Sequence, residues 1–536
     1  MNRFLIILLT LASFFSADFI FANPLTKIVI RGASDTPVLS DDRIVFHHVS
    51  IPGNSETLTA QLSPFLGRAI REELVEEMRE VIANYYRDEG YPFVVPKIPD
   101  QDVTEGAVNF HILEGKVGSM TFCGNEWYSK KALSRFIHLK EGEMIHQNAL
   151  LNDLTSLNRN PFHHTQVTAR PGADIGSTDL EFTTHDRHPL RLYAGADNTG
   201  VDVTGRERYF LGFNYGNMWG IGDVLTYQWT TAYSAHLFNS HYISYTSYLP
   251  NTHQLDLIGG YATIHPKMTD FTSEGRLIQG SMRYNIPFKP LYGDFTQGIT
   301  CGFDFKKTNS SLFFVGTTEN IPLNTKNVNL TQLVFFYALQ CSKFSAHEIS
   351  FQLSSYFSPF QWLPNQSSSA YNKLRAHAKP QYAYGECMVR DRYHYRFGFI
   401  QATLRGQIAT GPLLPSEQFG LGGYETVRGY DERTFDGDNA LCLNLEIGAP
   451  SFQLFKSSVN NPLTFLGFVD YGVAHNYKNA LVGIPATTYL LSIGPGLRYT
   501  ASHHFTARLD YGFQLHKLSF QTNRFGAFHF SVVASY

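Results

Sequence analysis

Phe505-Thr506-Ala507-Arg508-Leu509-Asp510-Tyr511-Gly512 sets Phe505, Ala507, Leu509 and Tyr511 against Thr506, Arg508, Asp510 and Gly512. Successive side chains of an extended strand leave on opposite faces, so this stretch predicts one apolar, aromatic face and one polar, charged face. Val224, Thr226, Gln228 and Thr230 alternate in the same way with Leu225, Tyr227 and Trp229. The period of two holds from Pro189 to Tyr536. A water-soluble sandwich would turn the apolar face inward. A transmembrane barrel turns it to lipid and lines a wet lumen with the polar face. Sixteen candidate strands can be counted, the first centred on Tyr193 and the last on Phe530. An even number suits a closed antiparallel barrel, because closure removes edges that lipid could not satisfy.

Composition points the same way. The 536 residues include 43 Phe, 30 Tyr and 43 Gly, with 17% charged, and aromatic enrichment fits the interfacial girdles of outer-membrane barrels. A large secreted β-sandwich could share these statistics, so the strand pattern has to decide. Residues 1–22 read as a signal peptide: Arg3 leads an apolar run from Phe4 to Ala17, with cleavage expected after Ala22 or Ala17. No later segment has the ~20 continuous apolar residues of a spanning helix. A net charge of −3 predicts no nucleic-acid partner. The five cysteines lack CxxC spacing, and the adjacent His pairs (His47-His48, His163-His164, His503-His504) would point to opposite strand faces. No metal and no cofactor are therefore expected. There is no GxSxG, HExxH or GxxxxGK[ST] motif, so neither an enzyme nor a nucleotide-driven pump is expected.

Between the signal and the barrel, residues 23–42 read as a short polar lead whose one apolar run is Lys27 to Ile30. Residues 43–116 read as strand, helix, helix, strand, strand. Arg68 to Arg87 is the clearest helix, with Ile70, Leu74, Met78, Val81, Ile82 and Tyr85 at spacings of three and four. Residues 117–188 repeat the plan, and Gly124-Asn125 echoes Gly53-Asn54. Two copies of one β-α-α-β-β unit make an internal repeat. They resemble tandem polypeptide-transport-associated (POTRA) domains. The fold expected is α+β periplasmic repeats followed by a transmembrane antiparallel barrel over residues 189–536.

One loop, residues 409–437, interrupts the barrel pattern with Gly422-Gly423-Tyr424-Glu425-Thr426-Val427-Arg428-Gly429-Tyr430. A cation among glycines that permit sharp bends is unusual for a surface connector. Downstream, Phe468-Val469-Asp470-Tyr471-Gly472 sets Asp470 opposite Val469 and Tyr471. Cys442, Asn444 and Glu446 likewise share the face opposite Leu441, Leu443 and Leu445, so Glu446 is expected to face the lumen. These segments resemble the arginine loop and acidic strand of the outer-membrane protein transport and insertion superfamily. With two POTRA-like repeats, the whole resembles the transporter of a two-partner secretion pair, the family that exports haemolysins and filamentous adhesins. Asn160-Pro161-Phe162, Arg170-Pro171-Gly172, Asp197-Asn198-Thr199-Gly200, Thr204-Gly205, Arg208, Gly220-Ile221-Gly222-Asp223 and Gly437-Asp438-Asn439 fit that family in order.

The resemblance implies that Val427, Arg428, Gly429 and Tyr430 form the tip of a loop folded into the barrel, with Arg428 paired to Asp470 and helped by Glu446. Arg498, Arg508 and Asp510 would line the path that opens when the loop moves. It implies residence in a bacterial outer membrane with the repeats in the periplasm. Its partners would be a secreted exoprotein client, outer-membrane lipid and the barrel assembly machinery. The last of these would read the terminal strand, in which Phe528, Phe530, Val532, Ala534 and Tyr536 share one face. The alternative reading is an insertase for other barrels, and a further one is a passive porin or receptor. Pro24, Gly32 and Pro37 argue against a long plug helix in the lead.

Overall fold

The computed structural model describes residues 23–32, 41–266, 271–288, 295–314, 321–359, 361–455, 460–478, 485–519 and 524–536. The expected signal segment, 1–22, and Pro37 lie outside the described residues. The chain forms two compact units, one of residues up to 159 with 163–186, the other of 160–162 with 187–536.

The first unit holds two small modules. In the first, β1 (Lys27–Arg31) lies between β2 (Ile44–His47) and β4 (Ala107–Leu113), parallel to both, and β3 (Val95–Lys97) pairs antiparallel with β4. Helices α1 (Ser55–Leu62) and α2 (Glu72–Asp88) cover this sheet. Leu74, Met78, Ile82 and Tyr86 of α2 bury their apolar stripe in one core with Ile28, Ile30, Val108 and Phe110. Asn54 caps α1 by accepting the Glu56 N–H at 2.9 Å.

Two expectations need correction here. The run Lys27 to Ile30 is no outlying lead but the inner strand of the sheet. Ile28, Val29 and Ile30 are all buried, and a strand covered on both faces shows no alternation to betray it. The helix expected from Arg68 begins only at Glu72, because residues 67–70 pair with residues 23–25. Gly67 N–H donates to Leu25 O at 2.8 Å, and Ile70 N–H to Asn23 O at 3.0 Å.

The second module orders β5 (Lys116–Cys123), β7 (Ser177–Asp186) and β6 (His163–Pro171) into one sheet, with helices α3 (Lys130–Ser134) and α4 (Gln147–Leu157). The Asp186 carboxylate accepts the N–H groups of Glu126, Trp127 and Tyr128. The modules join where Gln147 N–H donates to Gly90 O at 2.8 Å and Tyr91 meets the His146 ring edge-on at 5.0 Å.

His163, buried against Tyr128 with ring centroids 4.6 Å apart, gives the second module a pH dependence. Burial pushes its imidazole down to about 4, against about 6.5 in an unfolded chain. Between those values the unfolded chain binds the extra proton, so stability is full above about pH 6.5 and is lost as pH falls toward 4. The expected loss at pH 5 is roughly 2 kcal/mol. Amide exchange along β6 in the full-length protein should accelerate from pH 7 to 5, after correction for the intrinsic rate, and His163→Gln should flatten that response.

The second unit is a closed antiparallel barrel. Its strands are β8 (Leu190–Asp197), β9 (Arg208–Tyr215), β10 (Val224–Thr231), β11 (Phe238–Tyr248), β12 (Gln254–Ile264), β13 (Phe271–Phe288), β14 (Phe295–Phe314), β15 (Ile321–Phe344), β16 (His347–Ser358), β17 (Tyr382–Tyr395) and β18 (Gly398–Ala409). After a short helix, α5 (Ser368–Leu374), in the loop before β17, and a two-strand hairpin, β19 (Phe419–Leu421) with β20 (Phe435–Gly437), after β18, the wall resumes. It continues with β21 (Asn439–Gly448), β23 (Pro462–His475), β24 (Thr487–Ala501), β25 (Phe505–Gln514) and β26 (Gly526–Ser535). The two-residue β22 (Phe452–Gln453) extends the line of β21 beside β23. Sixteen strands thus form the wall, and β26 closes on β8 from Tyr193↔Ser535 to Asp197↔Ser531.

The alternation is oriented as a lipid-facing barrel requires. Leu441, Leu445, Ile447, Val469, Ile493 and Phe528 are exposed, whereas Cys442, Asn444, Asp470, Ser492, Asp510 and His529 are buried. Each strand reverses direction, so the connections β16–β17 and β18–β21 lie at the same end of the barrel, opposite the end where the chain enters at Leu190.

Candidate functional site: an arginine loop seated on the barrel wall

The connection between β18 and β21 folds back onto the inner wall. Its turn depends on Gly422 and Gly423, at φ +102° and +106°, values that favour glycine. A side chain on Gly423 would also meet the Glu432 carboxylate at 2.2 Å. Within the turn, Gly422 N–H donates to Thr426 Oγ1 at 2.9 Å and Gly423 N–H to Val427 O at 3.1 Å. Val427 and Tyr430 are fully buried with Leu421, Phe435, Cys442, Ala474 and Leu490, which anchors the tip through apolar contact as well as charge.

Arg428 is 2% exposed. Its Nε and Nη2 donate to the Asp470 Oδ2 and Oδ1 at 2.7 and 2.8 Å, and its backbone N–H donates to Oδ2 at 3.0 Å. Nη1 donates to Glu446 Oε1 at 2.6 Å and lies 3.6 Å from Asp510 Oδ1. The guanidinium stacks over the Phe468 ring at 3.5 Å. A planar guanidinium can make these contacts together; a lysine ammonium cannot. Asn444 Nδ2 donates to Asp470 Oδ1 at 2.8 Å, which fills the carboxylate's remaining capacity.

The same network takes up Arg498, Arg508 and Asp510. Arg498 Nη1 and Arg508 Nε each donate to the Asp510 carboxylate at 2.8 Å, and Arg498 Nη2 lies 3.5 Å from Glu446. Arg508 also stacks on Tyr424 at 3.8 Å and donates to Tyr424 O at 3.0 Å. The loop lies on these three residues, and three guanidiniums face three carboxylates in one cluster.

Three contributors escaped the sequence reading. His529 Nε2 accepts the Gly429 N–H at 3.0 Å, and Gln514 Nε2 donates to Gly429 O at 2.7 Å. Gly512 supplies the space, since a side chain there would come within 2.4 Å of Gly429 N. His529 could have been found by parity, because it lies opposite the Phe528 and Phe530 face. The other segments quoted from the sequence serve as braces. Asn160 Nδ2 donates to Gly216 O and Gly222 O at 3.0 and 2.9 Å, and Arg208 Nη2 donates to Thr204 Oγ1 at 2.8 Å.

Residues 176–499 match the haemolysin secretion/activation protein family ShlB/FhaC/HecB. The chain belongs to that family. Residues 43–115 match the ShlB-type POTRA domain. The chain is 25% identical over 478 residues to the heme/hemopexin transporter protein HuxB of Haemophilus influenzae, covering 83% of this chain and 78% of that protein. Among solved structures, CdiB from Escherichia coli superposes with a TM-score of 0.76 at 15% identity, covering 97% of this chain and 92% of that one. BamA from Haemophilus ducreyi lacking POTRA domains 1–3 gives 0.51 at 14% identity, covering 96% and 100%. The protein is thus an outer-membrane β-barrel transporter of the two-partner secretion type, not an enzyme, with its POTRA region on the periplasmic side. The β16–β17 and β18–β21 connections are accordingly extracellular.

Proposed function

We propose that this transporter exports an unfolded exoprotein through its own lumen, with the arginine loop as the movable seal. The carrying observation is the Arg428 cluster, which seats the loop on a polar inner wall by ion pairs that a moving loop can exchange. Capture falls to the two POTRA modules, the first joining β1 to residues 43–116 and the second at 117–188, after removal of a signal peptide at 1–22. Both β5 and β6 are edge strands of the second module, and an extended client segment can add to such an edge by main-chain hydrogen bonds. The loop at 409–437 then leaves Asp470, Glu446 and Asp510, and the freed charges line the path. Folding of the client outside would supply direction. The apolar outer face meets outer-membrane lipid, and the terminal strand presents the barrel assembly machinery with its insertion signal.

The test is surface release of a candidate partner exoprotein from cells with and without this protein. Release that depends on it is the expected result. No release, with other outer-membrane barrels depleted when the chain is absent, would replace export by the insertase reading.

A further inference from the structure

The root of the arginine loop is held by a second arginine–aspartate pair, with a buried aspartate and an arginine that comes from a different loop. Asp438, where the arginine loop rejoins the wall at β21, is fully buried. Arg375, just past α5 in the loop between β16 and β17, donates through Nη2 to Asp438 Oδ2 at 2.7 Å and through Nη1 to Oδ1. Asp438 also accepts the N–H groups of Leu413 and Tyr477, each at 2.9 Å. Arg375 reaches the Leu413 carbonyl as well, and Asn476 Oδ1 at 3.0 Å. One guanidinium therefore ties together both stems of the arginine loop and the end of β23.

The loop that carries Arg375 is itself built to stay down. Ser367 caps α5 by accepting the Ala370 N–H. Tyr371 is completely buried with Val328, Leu330, Leu413 and Leu414, and its hydroxyl donates to Asn329 O at 3.1 Å. Leu413 and Leu414 belong to the arginine loop, so the apolar contact and the ion pair join the same two segments.

We propose that Arg375 is a second latch: a positioning residue that holds the arginine-loop root from the neighbouring extracellular loop, so that opening requires both arginines to let go. This inference rests on reading the arginine loop as the seal. A seated tip with a released root would strain the chain between Asp438 and Arg428, and a released tip with a fixed root would still block the mouth. Two arginine–aspartate pairs, one at the tip and one at the root of the same loop, make opening a concerted step.

The test uses full-length protein in planar lipid bilayers without client, comparing wild type with Arg375→Ala, Arg375→Lys and Arg428→Ala. Loss of a bidentate charge-assisted contact should raise open probability on the order of tenfold in Arg375→Ala. Arg375→Lys keeps a cation without the planar fork and should rise severalfold. If Arg375→Ala fails to reach the membrane, Arg375→Lys decides. Arg428→Ala opening while the folded Arg375 variants match wild type would overturn the second latch and leave the seal intact. No opening in any variant would instead remove the seal reading on which the latch rests.

Discussion

Asp470→Ala is expected to open the pore. The substitution removes the carboxylate that accepts three hydrogen bonds from Arg428. Arg428 stays in a site that is 2% exposed. Breaking a buried pair by removing one partner costs about 3–5 kcal/mol, because the other charge is left uncompensated. Glu446 at 2.6 Å remains, which places the effect toward the lower end of that range. The seated state is what loses this energy, so the population moves toward an unseated loop. Conductance in bilayers should rise by two orders of magnitude or more, on the order of the Boltzmann factor for about 3 kcal/mol. Asp470→Asn retains the shape and one acceptor and should fall between. A folded Asp470→Ala barrel with wild-type conductance would mean that the Arg428–Asp470 pair does not hold the loop down.

How much of this was legible before the structure depended on whether a signal was local. The barrel was legible because one alternating segment predicts its own two faces, and the count of sixteen follows from repeating that inference. The Asp470 and Glu446 orientations followed from the same parity, and the motif around Arg428 supplied the partner. The first module was read less well. Ile28-Val29-Ile30 is buried on both faces and so has no period, and residues 67–70 look helical until residues 23–25 pair with them. The clasp on Gly429 was legible only in part, since parity puts His529 on the inner face without pointing to its partner. Its bonds run between main-chain atoms of the loop and His529 or Gln514, 100 and 85 residues away, and a main-chain partner leaves no residue type to recognise. Arg375 was hidden for a related reason. It sits in a polar connection where the period of two lapses, and only the closed barrel brings that connection to Asp438.

Gly512→Val separates the seating of the loop from its charges. A Cβ on Gly512 would lie 2.4 Å from Gly429 N and 2.6 Å from Arg428 C and Gly429 Cα. All three are main-chain atoms, so no side chain can swing aside, and the loop tip itself must retreat. The approach is as close from the other side, since a side chain on Gly429, at φ +90°, would meet Gly512 O at 2.6 Å. Retreat breaks the bonds to His529 and Gln514 and draws the Arg428 guanidinium away from Asp470, although every charged group remains. Overpacking costs about 1–3 kcal/mol and occasionally more, and two main chains in contact place this case high in the range. Valine otherwise suits a strand, and Gly512 already pairs in register with Ala527, so the wall itself should form. Gly467→Val on β23 is the control, because a Cβ there meets nothing within 4 Å. Gly512→Val should open the pore while Gly467→Val does not. Adding Asp470→Ala to Gly512→Val should open it little further than either alone, because both changes unseat one tip and coupled sites do not add. Full additivity would show that the Gly429–Gly512 contact and the Arg428–Asp470 pair hold two separately moving segments, and the loop would then have to be described as hinged between residues 428 and 429.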